Sequence, residues 1–184
     1  MRVLVVAGRG ERAAELLATC RTAGLTGVFA HCGCRHCARP AREAGETYRV
    51  ADCQWPAELL EAADRFGVDA VHPGGGPLAA STEFFWSVLS WFLIWAGPVP
   101  ETCTGSRHHA VVVPVGRPPW APAQANAARE KLAPLLPAAV GPGPPPVMMV
   151  DPGILCAGNH ARASGPSCGV PACGWGDRSR CRRR

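Results

Sequence analysis

The chain has 184 residues, 47% hydrophobic and 18% charged, which is room and apolar material for one core plus a tail. Its 21 glycines show no period of three, which excludes a collagen helix, and the dense apolar patterning of the first hundred residues excludes wholesale disorder. The formal charge of +5 equals the contribution of Arg178, Arg180, Arg182, Arg183 and Arg184, so it describes a basic tail and not a basic binding face.

Val3 to Ala7 is a short β-branched run bounded by glycine, the pattern of a strand buried on both faces. Ala13, Leu16, Leu17 and Cys20 follow at helical spacing, with Glu11 in the first turn and Gly24 as the stop. Thr26 to Ala30 reads as a second strand, Cys32 to Pro40 as a loop, and Thr47 to Val50 as a short third strand. Pro56 suits the first turn of a helix whose stripe is Leu59, Leu60, Ala63 and Phe66, ended by Gly67. Val68 to Val71 predicts a fourth strand, and His72-Pro73-Gly74-Gly75-Gly76 a turn. Leu78 to Leu93 predicts a helix and Ile94 to Ala96 a fifth strand, closed by Gly97-Pro98. Strands alternating with helices over short connections imply an α/β domain: a parallel sheet with helices on both faces. Beyond residue 102 the pattern thins. Val111 to Val115 suggests one more strand and Asn126 to Leu136 a short helix. From Gly141 onward Gly, Pro, Arg, Ala and Cys show no usable periodicity, and an irregular or disordered C-terminal tail is expected.

Gly8-Arg9-Gly10-Glu11-Arg12-Ala13 joins the first strand to the first helix as a G-x-G-x-x-A turn. Such turns let backbone approach a pyrophosphate at a helix N-terminus, so an NADP-binding Rossmann domain is one alternative. Arg35 or Arg39 would then receive the 2′-phosphate, because no acidic residue ends the second strand. Against a bound anion stands Glu11, a carboxylate at that same helix end.

Two segments carry a more specific likeness. Ala7-Gly8-Arg9-Gly10-Glu11-Arg12-Ala13 resembles the Ala-Asn-Arg-Gly-Glu-Ile-Ala opening of biotin carboxylases. Val68-Asp69-Ala70-Val71-His72-Pro73-Gly74-Gly75-Gly76-Pro77-Leu78 resembles their Ala-Asp-Ala-Val-His-Pro-Gly-Tyr-Gly-Phe-Leu segment. Glu83-Phe84 and Gly97-Pro98-Val99-Pro100-Glu101 continue the match at ungapped spacing. The resemblance implies a Rossmann-like, pre-ATP-grasp domain over residues 1–102, from a biotin-dependent carboxylase of the acetyl-CoA, propionyl-CoA or pyruvate type. It would be followed by a weakly structured extension at 103–140 and the tail at 141–184. The implied activity is ATP-dependent carboxylation of biotin with bicarbonate, with magnesium on the phosphates. ATP, magnesium and biotin are thus implied for the full-length family, and no cofactor is expected in this chain.

In that family the phosphate and metal ligands lie in the ATP-grasp part, which would begin after Glu101. Here Thr-Cys-Thr-Gly-Ser-Arg-His-His and Pro-rich text follow, and Lys131 is the single lysine of the chain. The expectation is a truncated, diverged relative that does not catalyse alone; its tail has the composition of a GC-rich coding strand read out of frame. By resemblance, the residues nearest substrate or cofactor are Arg9, Gly10, Glu11, His72, Pro73, Gly74 and Gly76. The family's asparagine before Arg9 is Gly8 here, its loop tyrosine is Gly75, and the arginine four residues after the motif glutamate is Glu15.

The segment Phe84 to Ala96 is apolar nearly all round, which calls for cover. A second alternative is therefore an interaction module that binds a carboxylase subunit, or a second copy, through 84–96. That stretch falls short of the roughly twenty residues a bilayer span takes, and the N-terminus lacks a signal-peptide h-region, so a cytoplasmic chain is expected. Cys34-x-x-Cys37 has the spacing of a zinc half-site. His31 or His36 would complete it locally, or Cys168 and Cys173 from the tail; the bland alternative is a loop that happens to hold cysteines, and the sequence assigns no metal. The terminal arginines attract polyanions through charge alone, with no motif for specific nucleic-acid recognition.

Overall fold

The computed structural model describes residues 1–6, 10–104, 108–114, 122–136 and 145–150. Seven strands form one sheet in the order β3-β2-β1-β4-β5-β6-β7. In chain order these are β1 (Arg2–Val5), β2 (Thr26–His31), β3 (Glu46–Arg49), β4 (Ala70–His72), β5 (Ile94–Val99), β6 (His108–Pro114) and β7 (Val147–Val150). The helices are α1 (Gly10–Thr22), α2 (Ala38–Glu43), α3 (Pro56–Arg65), α4 (Thr82–Ser90), α5 (Glu101–Thr104) and α6 (Pro122–Leu132). Strands β1 to β5 are mutually parallel, as the alternation of strands and helices predicts.

The period of two along each strand divides the core. Leu4, Val28, Val71 and Trp95 face Leu59, Leu60, Ala63, Phe84, Phe85 and Leu89 of α3 and α4. Val3, Val5, Phe29, Ile94 and Val111 face Leu16, Leu17, Leu132 and Leu135 on the opposite side. Both faces are covered, which is why β1 and β4 read as continuous apolar runs.

Two helices stop where glycine permits a left-handed residue. Gly24 has φ +69° and Gly67 φ +56°, and after each the chain bonds back, Leu25 N–H to the Cys20 carbonyl and Val68 N–H to the Ala63 carbonyl. Helix α4 ends in the same geometry without a glycine. Leu93 N–H donates to the Val88 carbonyl and Phe92 N–H to the Leu89 carbonyl, with Phe92 at φ +57°. The single helix expected over 78–93 is therefore shorter, and it is also broken at its start. A 3-10 turn spans Pro77–Ala80, and the Ser81 side chain accepts the Phe84 N–H at 3.1 Å to cap a new helix.

Four further expectations are corrected. The loop read at Cys32 to Pro40 contains a 3-10 turn at Arg35–Cys37 and the start of α2, because a proline in a first turn forfeits no helical hydrogen bond. Strand β5 continues through Gly97-Pro98 to Val99, and Trp95 Nε1 donates to the Pro98 carbonyl at 3.0 Å. The sheet is not wholly parallel: β6 pairs antiparallel with β5, since the link from Val99 to His108 is shorter than the dozen or so residues a parallel crossover takes. Past Gly141, where no periodicity is legible, Val147–Val150 forms β7, parallel to β6. The rest of the tail expected to be disordered lies almost wholly outside the described residues.

The all-round apolar segment 84–96 is not a free surface. Phe84, Phe85, Val88 and Leu89 are buried, and Phe84 and Phe85 pack edge-on against the buried Trp95 with centroids 5.9 and 5.1 Å apart. Among the large apolar residues of this segment only Trp91 and Phe92 stay substantially exposed, so the helix is covered by its own chain.

Candidate functional site

The carboxyl ends of β1, β2, β3 and β4 point the same way, and the loops that leave them carry nearly every residue singled out above. His72, the last residue of β4, is 2% exposed. Its carbonyl accepts the Val6 N–H at 3.0 Å, and its Nδ1 accepts the Gly74 N–H at 3.0 Å. The proton of the neutral ring therefore sits on Nε2. Burial, and behind it the positive charge of Arg12 and His109, push the imidazole down to about 3, so the ring is neutral at physiological pH.

Pro73 is locked by the neighbouring strand. A Cβ at Gly97 would lie 2.6 Å from Pro73 Cδ, so the absence of a side chain on β5 makes room for the ring. Gly76 accepts the Ala79 N–H and opens the 3-10 turn that leads toward α4. Gly10 begins α1 beneath the Cys34–Cys37 loop, with the His36 carbonyl oxygen only 2.3 Å from where its Cβ would stand. Glu11 is exposed in the first turn of α1. Gly10, Glu11, His72, Pro73, Gly74 and Gly76 thus occupy neighbouring loops at one sheet edge; Arg9 and Gly8 lie outside the described residues. Glu15, where the resemblance leads one to expect arginine, forms an ion pair with Arg12 at 3.2 Å.

A cavity of about 300 Å³ opens at this edge, lined by Gly10, Cys34, Cys37, Cys53 and Pro77 among others. Of the four metal candidates, the structure brings together Cys34 and Cys37, whose sulfurs are 3.5 Å apart. His31 and His36 do not join them: the ligand group among the described residues is Cys32, Cys37 and Cys53, with all three sulfurs within 4.8 Å of one another. Cys168 and Cys173 lie outside the described residues. Cys53 was missed because it stands far along the chain. The signal was available in topology: adjacent parallel strands β2 and β3 bring the loops at their carboxyl ends side by side. The dinucleotide alternative gains nothing here, since the His36 carbonyl crowds the N-terminus of α1 and Glu11 adds negative charge there.

A mostly parallel sheet covered on both faces, with β1 to β5 in the order β3-β2-β1-β4-β5, defines an α/β domain of Rossmann-like fold. Residues 1–103 match the family described as biotin carboxylase, N-terminal domain, and the chain belongs to that family. It is 32% identical over 112 residues to the biotin-dependent acyl-coenzyme A carboxylase alpha3 subunit of Mycobacterium leprae (strain TN), an alignment covering 54% of this chain and 18% of that protein. Among solved structures, it is similar to the biotin carboxylase subunit of pyruvate carboxylase, at 29% identity and a TM-score of 0.49, covering 53% of this chain and 22% of that one. It is likewise similar to the biotin carboxylase domain of a thermophilic 2-oxoglutarate carboxylase bound to bicarbonate, at 27% identity and a TM-score of 0.49, covering 53% and 23%. The chain therefore spans less than a quarter of these relatives. No described helix is long and apolar enough to cross a membrane.

Proposed function

We propose that these 184 residues constitute a biotin carboxylase N-terminal module that does not carboxylate biotin on its own and that works, if supplied with an ATP-grasp partner, as the platform against which that chemistry is assembled. The observation that supports this is the family match over residues 1–103, joined to a rigid histidine-proline turn at the sheet's carboxyl edge. On this reading Arg9, Gly10, Glu11, His72, Pro73, Gly74 and Gly76 form the side of the module that faces substrate. His72 acts there as a neutral shaping group: it is buried and its Nδ1 is occupied by Gly74 N–H, so it is not placed to shuttle protons. ATP and magnesium would be held by the partner, since the chain carries a single lysine, Lys131, on α6. The natural partners are carboxylase subunits, the setting is the cytoplasm, and β6 and β7 extend the sheet past residue 102.

The test is an assay of phosphate release and carboxybiotin formation from ATP, bicarbonate and free biotin. The full chain alone is expected to give background rates. Turnover above a protein-free control, dependent on both bicarbonate and biotin, would overturn the reading.

A further inference from the structure

We propose that Cys32, Cys34, Cys37 and Cys53 form a structural zinc site that staples the loop after β2 to the loop after β3. The geometry comes first. A tetrahedral zinc thiolate with Zn–S of about 2.3 Å sets its sulfurs roughly 3.8 Å apart. Here Cys34 and Cys37 are 3.5 Å apart, Cys32 and Cys53 3.6 Å, and Cys32 and Cys37 4.0 Å. Cys32, Cys37 and Cys53 lie within 4.8 Å of one another and supply three corners of the tetrahedron; Cys34 stands outside that group, touches it through Cys37 and swings in to supply the fourth.

The local chain supports it. Gly33 has φ +79° between Cys32 and Cys34, a bend that a side chain would resist, and both flanking thiols reach Cys37. The 3-10 turn at Arg35–Cys37 then carries Cys37 inward, where it is buried. The Cys34 backbone N–H donates to Cys32 Sγ, a contact of the kind that orients a metal-bound sulfur. Four thiolates around Zn²⁺ leave a net charge of −2. The Arg49 guanidinium lies over Gly33, 3.1 Å from where a Cβ there would stand, and offsets part of that charge. Four protein ligands leave no open position, so the site is structural and not catalytic.

The experiment uses the full chain, expressed with zinc supplied and purified under reducing conditions. Elemental analysis is expected to find about one zinc per chain. Replacement of zinc by Co²⁺ is expected to give the ligand-field and charge-transfer bands of a tetrahedral cobalt thiolate. Cys53→Ser and Cys37→Ser should each lose the metal, whereas Cys103→Ser and the Cys168→Ser/Cys173→Ser double variant should keep it. Because a ligand variant can misfold, the cobalt spectrum of the unsubstituted chain decides the matter independently. Absence of bound zinc, an octahedral cobalt spectrum, zinc that follows Cys168 and Cys173, or a disulfide among the four cysteines in freshly reduced protein would each overturn the site.

Discussion

Acidification tests the burial of His72 most directly. The ring titrates near 6.5 in an unfolded chain and is held at about 3 in the fold. Between those values the unfolded chain binds the extra proton and the folded one does not, so lowering the pH favours unfolding. The contribution is fully present above about pH 6.5, falls as pH drops toward 3, and changes no further below that. From pH 7 to pH 4.5 the loss assignable to this one ring is about 2–3 kcal/mol. It arises because charging the ring would require desolvating it beside Arg12 and His109. Urea unfolding of the wild type and of His72→Gln at about pH 7, 5.5 and 4.5 isolates it, since glutamine keeps an acceptor for the Gly74 N–H but cannot charge. The wild type should lose about 2–3 kcal/mol more than the variant over that range. In ring-proton NMR, the His72 signal should stay neutral down to about pH 4. Parallel stability curves, or a ring that titrates near its ordinary value, would refute the burial argument.

Gly97→Ala forces a methyl group into Pro73 and is expected to destabilise the chain by about 1–3 kcal/mol in the same urea assay. Phe92→Gly relieves a left-handed phenylalanine at the end of α4 and should raise stability by about 1 kcal/mol, read as a higher unfolding midpoint at unchanged slope. Ser81→Ala removes the cap on Phe84 N–H and should cost about 1 kcal/mol, with Ser81→Asp restoring most of it.

The parallel core was legible because its signals are local. Val3 to Ala7 reads as a doubly buried strand, of which Val3, Leu4, Val5 and Val6 are fully buried, and Gly24 and Gly67 announce the ends of α1 and α3. The end of α4 was not legible, because Phe92 adopts a glycine's conformation and the apolar run continues past it into β5. Strand direction is equally hidden from residue pattern: Val111, Val112 and Val113 of β6 look alike whether β6 runs with or against β5, and only the length of the connection decides. At the site, the histidine-proline turn was readable from its residues, but the thiol group was not, since Cys53 joins Cys32 and Cys37 through the pairing of β2 with β3.

The contact between Pro73 and Gly97 ties two distant stretches of chain into one unit of inheritance. Any side chain at 97 must displace the proline, and with it the imidazole one residue before. Drift at either position is therefore gated by the other, through packing rather than through chemistry.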